Sequence, residues 1–349
     1  MPHIVHVTTV EPPYGYTTAE ITRELERSWL PDLDPALRRR AEKLLRSTEI
    51  AGRRGVVPLE FVLGGRGLGE RNRLYANAMI ELGTKALRRA LEESGTAPHD
   101  IGAIITTSCT GIMIPSVDAY LVDRLGLSGD VLRLPVTEMG CAGGTAGLIY
   151  ARELARARPA KKVALLSLEA PSLTFIRDDH SMENLVSAAI FADGVACVLV
   201  GAEGPGIEIA DADMYHFPRS TRLMGYELRD DGFKIILDRE VPSAIREHFP
   251  RIVLPFLARN GLAPGDVGHY LFHPGGKHIL RMVEDFARTH GRDVDDSRFV
   301  LEHRGNMSSA TVLHVLERTS ARAKPGDVGY MLAFGPGFTA QSLLLRFGE

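Results

Sequence analysis

Cys141 stands in the string Met139-Gly140-Cys141-Ala142-Gly143-Gly144, directly ahead of a run with helical spacing, Thr145 to Ala157. A thiol at a helix entrance lies where backbone N–H groups and the helix dipole favour its anion. The thiolate attacks acyl groups, so the position suits covalent chemistry on a thioester. The small flanking residues leave the sulfur approachable and let a substrate carbonyl come near backbone donors. The competing reading is a buried cysteine in a glycine-rich turn, a common fate of free cysteine. Two distant residues bear on the choice. His273 precedes Pro274-Gly275-Gly276, which would end a strand and leave the imidazole at its terminus. Asn306 follows Gly305 and precedes Met307 to Leu313, a second turn entering a helix. Imidazole stabilises a thiolate, and both His and Asn can donate N–H bonds to a developing oxyanion or enolate. Such a set suits decarboxylative carbon–carbon bond formation, because a malonyl thioester that loses carbon dioxide becomes an enolate. Alone, His273 reads as a structural strand-end histidine and Asn306 as a turn residue; their joint registration with Cys141 favours the functional reading.

An internal duplication accounts for that registration. Ala97-Pro98-His99-Asp100-Ile101-Gly102 leads into the apolar run Ala103 to Thr107, and Ala263-Pro264-Gly265-Asp266-Val267-Gly268 leads into His269 to His273, an offset of 166 residues. The same offset relates Pro159 with Val163 to Ser167 and Pro325 with Val328 to Ala333. Short apolar runs after turn residues predict buried strands. Amphipathic helical patterns lie between them, as in Tyr75 to Glu93 and Val241 to Arg259. Strands alternating with helices predict α/β layers, in two halves packed face to face. Position 141 then corresponds to 307, beside Asn306, and Thr107 corresponds to His273.

Composition sets the bounds. The chain has 349 residues, 44% hydrophobic and 24% charged, with a net charge of -3. Those values are ordinary for a globular enzyme or binding protein and give no reason to expect nucleic acid or an anionic membrane as partner. Three cysteines without paired spacing predict neither a disulfide framework nor a zinc site, and fit a reducing, cytoplasmic setting. The N-terminus does not read as a signal peptide, and no apolar run has transmembrane length. The glycine-rich strings lack the pattern of a dinucleotide site, so no nicotinamide, flavin or metal is expected.

Met139-Gly-Cys141-Ala-Gly-Gly-Thr-Ala-Gly, His273-Pro-Gly-Gly276, Gly305-Asn306-Met-Ser-Ser-Ala-Thr311 and Phe334-Gly-Pro-Gly337 resemble the signatures of type III polyketide synthases, the chalcone synthase superfamily. The resemblance covers nearly the whole chain in the family's motif order, with Ala333-Phe334 in place of the usual Gly-Phe. It implies a thiolase fold, an α/β architecture of two duplicated halves (1–205 with the nucleophilic Cys, 206–349 with His and Asn) in a layered αβαβα core. It implies a homodimer, coenzyme A thioester substrates and no cofactor. Cys141 would carry the starter acyl group and the growing chain, while His273 and Asn306 would bind the thioester carbonyl, assist malonyl-CoA decarboxylation and hold the enolate. The expected product is a pyrone, resorcinol or related aromatic ring.

The resemblance also implies Phe191 and Phe233 as gatekeepers, although either Phe read alone is a core aromatic. Cys109, Thr174, Gly225 and Ser308 match cavity positions, and Ile114 matches a residue that reaches across the dimer. Cys109 either contacts intermediates or shapes the pocket; its string holds nothing that would lower its pKa, which favours shape. Cys197, in an apolar run, reads as core. Arg39, Lys43 and Arg46 share a helix face, and with the resemblance Arg40, Lys43 and Arg46 become candidates for the coenzyme A phosphates, against a plain solvated face. An acidic acyl-carrier protein would use the same patch. A ketoacyl synthase acting on preformed or carrier-bound chains, and a catalytically silent scaffold subunit, are the alternatives; the intact Cys, His and Asn weigh against the second.

Overall fold

The computed structural model describes residues 1–348. The N-terminal half contributes strands β1 (His3–Val10), β2 (Tyr14–Thr17), β3 (Gly52–Gly55), β4 (Ile101–Thr107), β5 (Leu132–Val136), β6 (Lys162–Glu169) and β7 (Gly194–Gly201). The C-terminal half contributes β8 (Ile207–His216), β9 (Met224–Arg229), β10 (Gly232–Leu237), β11 (His269–Phe272), β12 (Val328–Gly335) and β13 (Thr339–Phe347). Nine of these form one mixed sheet in the order β11-β12-β13-β8-β1-β7-β6-β4-β5. The duplication is visible in that order. On either side of the β8–β1 junction the sequence of strands repeats, β1-β7-β6-β4 against β8-β13-β12-β11.

Alternation along each strand assigns the layers. Ala103, Ile105, Val163 and Leu165 turn inward onto one core, which also takes Leu271, Met331, Leu343 and Leu345 from the other half. Filling the space between are the helices Gly143–Ala157 and Thr311–Ser320, buried through Leu148, Ile149, Val312 and Leu316. Ile104, Leu166 and Leu168 turn outward onto the helix Leu68–Ser94, in a core that also holds Cys197. Tyr270, Phe272, Tyr330 and Leu332 turn outward onto the helices Val241–Arg259 and Lys277–Thr289. The result is five layers, helix, sheet, helix, sheet, helix. The halves face each other across the two central helices, but they are also joined by strand pairing, His3 with Glu208 and Ile4 with Ile207. With so short a junction the sheet turns its corner there and encloses the central helices.

One buried histidine in that central layer makes stability depend on pH. His314 lies between the Arg304 guanidinium at 3.0 Å from Nδ1 and the Val195 carbonyl at 3.3 Å from Nε2. Burial first, then the positive Arg304, push its pKa down to about 3. An unfolded chain protonates this residue below its ordinary value of 6.5. Between those two values the unfolded form binds the extra proton, so stability falls as pH falls, by about 1.4 kcal/mol per unit. Urea unfolding of the wild type and His314→Gln from pH 7 to 5 is expected to show a shallower slope in the variant; equal slopes would refute the assignment.

Candidate active site

The glycines around Cys141 serve close packing, and Gly140 also lines the cavity beside the sulfur. Gly140 has φ of +50°, and a Cβ there would lie 2.5 Å from Pro336. At Gly144 a Cβ would overlap the carbonyl oxygen of Ser309 and press on Val312 at 2.9 Å. The missing side chain lets the helix behind Cys141 touch the turn behind Asn306, and this contact brings the two halves of the site together. Gly144→Ala is therefore expected to lower unfolding free energy by about 1–3 kcal/mol, as overpacking does. Its condensation rate should also fall at a temperature where the variant is still folded; retention of full activity would separate the contact from the chemistry.

Cys141 sits in a short 3-10 turn, Gly140–Ala142, at the head of the helix Gly143–Ala157. His273 follows the last residue of β11, its N–H bonded to Leu332 O at 2.9 Å. Asn306 lies between the helix Asp295–Arg304 and the turn Ser308–Ala310. All three line one cavity of about 480 Å³. The Asn306 amide is fixed in sense. Its Oδ1 accepts from Ser308 N–H at 2.9 Å and Thr311 Oγ1 at 3.4 Å, so the Nδ2 donors face the other way, toward Gly275 O at 3.2 Å. Neither ring nitrogen of His273 has a partner among the described residues.

Burial dominates the electrostatics. It pushes the Cys141 thiol from 9.0 up to about 12, against the lowering effects of Ser308, Asn306 and the Cys141 N–H. That displacement disfavours the anion by about 4 kcal/mol, whereas a helix N-terminus contributes up to about 2. Burial and the helix entrance therefore act on the thiol in opposite directions. Burial likewise pushes His273 down to about 4. Charge on either group alone is opposed, so a proton leaving the thiol needs an acceptor within the cavity. The unpartnered His273 imidazole lines the same cavity.

Cys109, Phe191, Gly225 and Ser308 also line the cavity. Ser308 holds φ of +51°, strained for a residue with a side chain, and its hydroxyl lies 3.4 Å from Cys109 Sγ. Burial raises the Cys109 thiol, with Glu169 adding to the effect. Thr174 and Phe233 stand one layer back. Thr174 Oγ1 donates to Pro171 O at 2.8 Å, and Phe233 meets the Tyr226 ring edge-on at 5.9 Å. Tyr226 itself is on the cavity wall and was not expected. Arg71 ties this wall together, donating to Leu173 O at 3.0 Å, Phe175 O at 2.9 Å and Asp231 O.

Arg40, Lys43 and Arg46 are exposed, Arg40 and Lys43 on the helix Pro35–Leu45 and Arg46 just past its end. None of the three is on the cavity wall, to which Leu44 and Thr48 contribute instead. Arg46 faces a larger, more open cleft of about 840 Å³ that holds none of Cys141, His273 and Asn306. Besides His273, the basic residues on the cavity wall are Arg239, Lys277 and His278, none of them anticipated from the sequence. Ile114 is 95% exposed.

Glu169 was also missed. This buried carboxylate accepts from Cys109 N–H at 3.2 Å, Thr110 Oγ1 at 2.8 Å and Ser309 Oγ at 2.5 Å, and burial raises its pKa. An acid closing an otherwise apolar run, Val163-Ala-Leu-Leu-Ser-Leu-Glu169, was the available signal. Among the described residues no group of three or more His, Cys, Asp or Glu is placed to hold a metal, and no helix is long and apolar enough to cross a membrane.

The profile for chalcone and stilbene synthases, N-terminal domain, matches residues 60–204, and that for their C-terminal domain matches residues 208–347. A 1,3,6,8-tetrahydroxynaphthalene synthase of Streptomyces peucetius subsp. caesius is 36% identical, over 99% of this chain and 93% of that protein. The phloroglucinol synthase of Pseudomonas fluorescens is 33% identical, over 86% and 87%. The crystal structure of 1,3,6,8-tetrahydroxynaphthalene synthase from Streptomyces coelicolor A3(2), a bacterial type III polyketide synthase, superposes with a TM-score of 0.93 at 27% identity, covering 99% of each chain.

Proposed function

The chain belongs to the chalcone and stilbene synthase family, the type III polyketide synthases, and on that premise we propose how its cavity divides the work. The enzyme is a carbon–carbon bond-forming acyltransferase. Cys141 Sγ attacks the thioester carbonyl of an acyl-CoA starter, the sulfur–carbon bond forms, and His273 takes the thiol proton. Coenzyme A leaves with that proton. Malonyl-CoA then loses carbon dioxide, and the enolate oxygen is held by His273 and the Asn306 Nδ2 donors. The enolate carbon attacks the acyl group on Cys141, a carbon–carbon bond forms, and the sulfur departs. The carrying observation is that a nucleophile from one half and two donors from the other converge on one cavity.

A cavity of about 480 Å³ walled by Met224, Tyr226 and Ile235 supports an aromatic product formed by cyclisation inside it, as the names of the two curated relatives suggest. Arg46 in the neighbouring cleft, which shares Thr48 with the cavity, and Arg239 and Lys277 on the cavity wall support a phosphate path for coenzyme A in which Arg40 and Lys43 on the adjoining helix can also take part. The exposed Ile114 supports a homodimer in which a second copy covers that residue. Three unpaired cysteines fit a reducing, cytoplasmic setting, and no cofactor beyond the coenzyme A thioesters is proposed.

Purified protein with malonyl-CoA, alone and with a panel of acyl-CoA starters, is expected to release coenzyme A and carbon dioxide and yield a cyclised product by mass analysis. Turnover only with carrier-bound malonate would replace this reading with the ketoacyl synthase. No condensation with any starter would return it to a scaffold.

A further inference from the structure

One wall of the reaction cavity is a hairpin that stands outside the main sheet. β9 and β10 pair with each other and join none of the nine strands. They give the cavity Met224, Gly225, Tyr226, Ile235, Ile236 and Leu237, and they carry Phe233 against the Tyr226 ring. A two-stranded ribbon is marginal on its own in water, so the groups that hold it decide where it lies. Its base is closed by Asp238 N–H donating to Leu223 O at 2.8 Å. Among the described residues, two polar contacts tie the rest of it to the body of the protein. Lys234 Nζ is 3.9 Å from Asp179, and Arg71 donates to Asp231 O in the turn between the strands.

The contact through Arg71 is the tighter of the two. Arg71 lies near the start of the helix Leu68–Ser94 and is only 4% exposed. Its Nη1 donates to Leu173 O at 3.0 Å and Phe175 O at 2.9 Å, while Nη2 takes the Asp231 carbonyl. One planar fork thus fixes the hairpin turn relative to the backbone on both sides of Thr174. Gly232 belongs to the fit. Its φ is +147°, and a Cβ there would lie 2.6 Å from Arg71 Nη2.

We propose that Arg71 is a specificity-determining positioning residue: by locking the hairpin turn to the Leu173 and Phe175 carbonyls it sets the width of the cavity, and with it the length of acyl chain that Cys141 can carry. Arg71 is not itself on the cavity wall, so it acts through the segments it holds. The tie to the hairpin stands on this geometry; its effect on chain length rests on the proposed function.

The test compares Arg71→Lys with wild type in the full chain. Lysine keeps the charge, but a single ammonium does not reproduce a planar fork across three carbonyls. Hydrogen exchange of the amides of residues 224–237 is expected to quicken by about tenfold, with β6 and β12 unchanged. Steady-state kinetics with acetyl-, hexanoyl- and dodecanoyl-CoA should show kcat/KM ratios shifted by about fivefold or more toward dodecanoyl-CoA, through KM, with malonyl-CoA decarboxylation within about twofold of wild type. A merely structural role would lower turnover of all starters alike. Because Arg71 is buried and its variant can fail to fold, Gly232→Ala provides the second arm: it leaves Arg71 on Leu173 O and Phe175 O and displaces the hairpin turn from Nη2. Unchanged exchange of the hairpin in either folded variant would overturn the tie. Faster exchange with unchanged starter ratios would overturn the control of chain length. Absence of condensation in the wild type would remove that control together with the proposed function, and the exchange result would then decide the tie alone.

Discussion

Cys141→Ala protein mixed with an acyl-CoA starter is expected to show no acyl adduct by intact mass and to form product about 10⁴-fold more slowly, or not at all. Losses of this order follow when a covalent nucleophile is removed and only binding and oxyanion donors persist. They correspond to a barrier raised by about 5 kcal/mol. The substitution is small, and Cys141 makes no hydrogen bond on which a neighbouring element depends, so the fold should persist. An adduct surviving on the variant, or turnover within tenfold of wild type, would place the nucleophile elsewhere. Cys109 is the residue to examine in that event, since it shares the cavity with Cys141.

Asn306→Ala is expected to cut malonyl-CoA decarboxylation by about 10²–10³-fold while the starter still loads onto Cys141. Removal of one preorganised donor to a developing oxyanion has that magnitude. His273→Ala should reduce decarboxylation comparably, but it should also slow loading, because the buried thiol loses its proton acceptor. Alkylation by iodoacetamide offers an independent readout. It should slow at neutral pH in His273→Ala, with the profile moved toward alkaline pH, and stay near wild type in Asn306→Ala. With both residues assigned to one enolate, the double variant should lose less than the product of the single losses. Undiminished decarboxylation in both variants would remove them from that role.

Much of the architecture was legible because it rests on local physics repeated twice. Pro98–Asp100 and Pro264–Asp266 are both short 3-10 turns, each with the aspartate accepting its own preceding N–H, at 3.3 Å from Ala97 and 2.7 Å from Ala263. β6 and β12 keep the 166-residue offset at both ends. His273 follows a strand and Asn306 precedes a helix, as their Pro-Gly-Gly and Gly-Asn neighbours predict. What was not legible depends on contacts between distant segments. Glu169 draws its hydrogen bonds from residues about 60 and 140 positions away, and its equivalent in the second half, Gly335, carries no acid. The glycines after Cys141 looked like openings around a sulfur, yet their neighbours are Ser309, Val312 and Leu165. Arg239, Lys277 and His278 sit in no basic run, and only folding gathers them on one wall, whereas the conspicuous arginines of Pro35–Leu45 point to water.

Phe191 and Asn306 form an isolated parallel bridge, with the asparagine backbone bonded on both sides of the phenylalanine. On the proposed assignment, the gate and the enolate donor are tied through their backbones. Any backbone shift that accompanies a substitution at 191 would be carried to 306, so a broader choice of starter is expected to come with slower extension. Mutations at Gly225 or Met224, which line the same space from a separate hairpin, leave that ladder alone. Redesign of product size has more freedom on that side of the cavity.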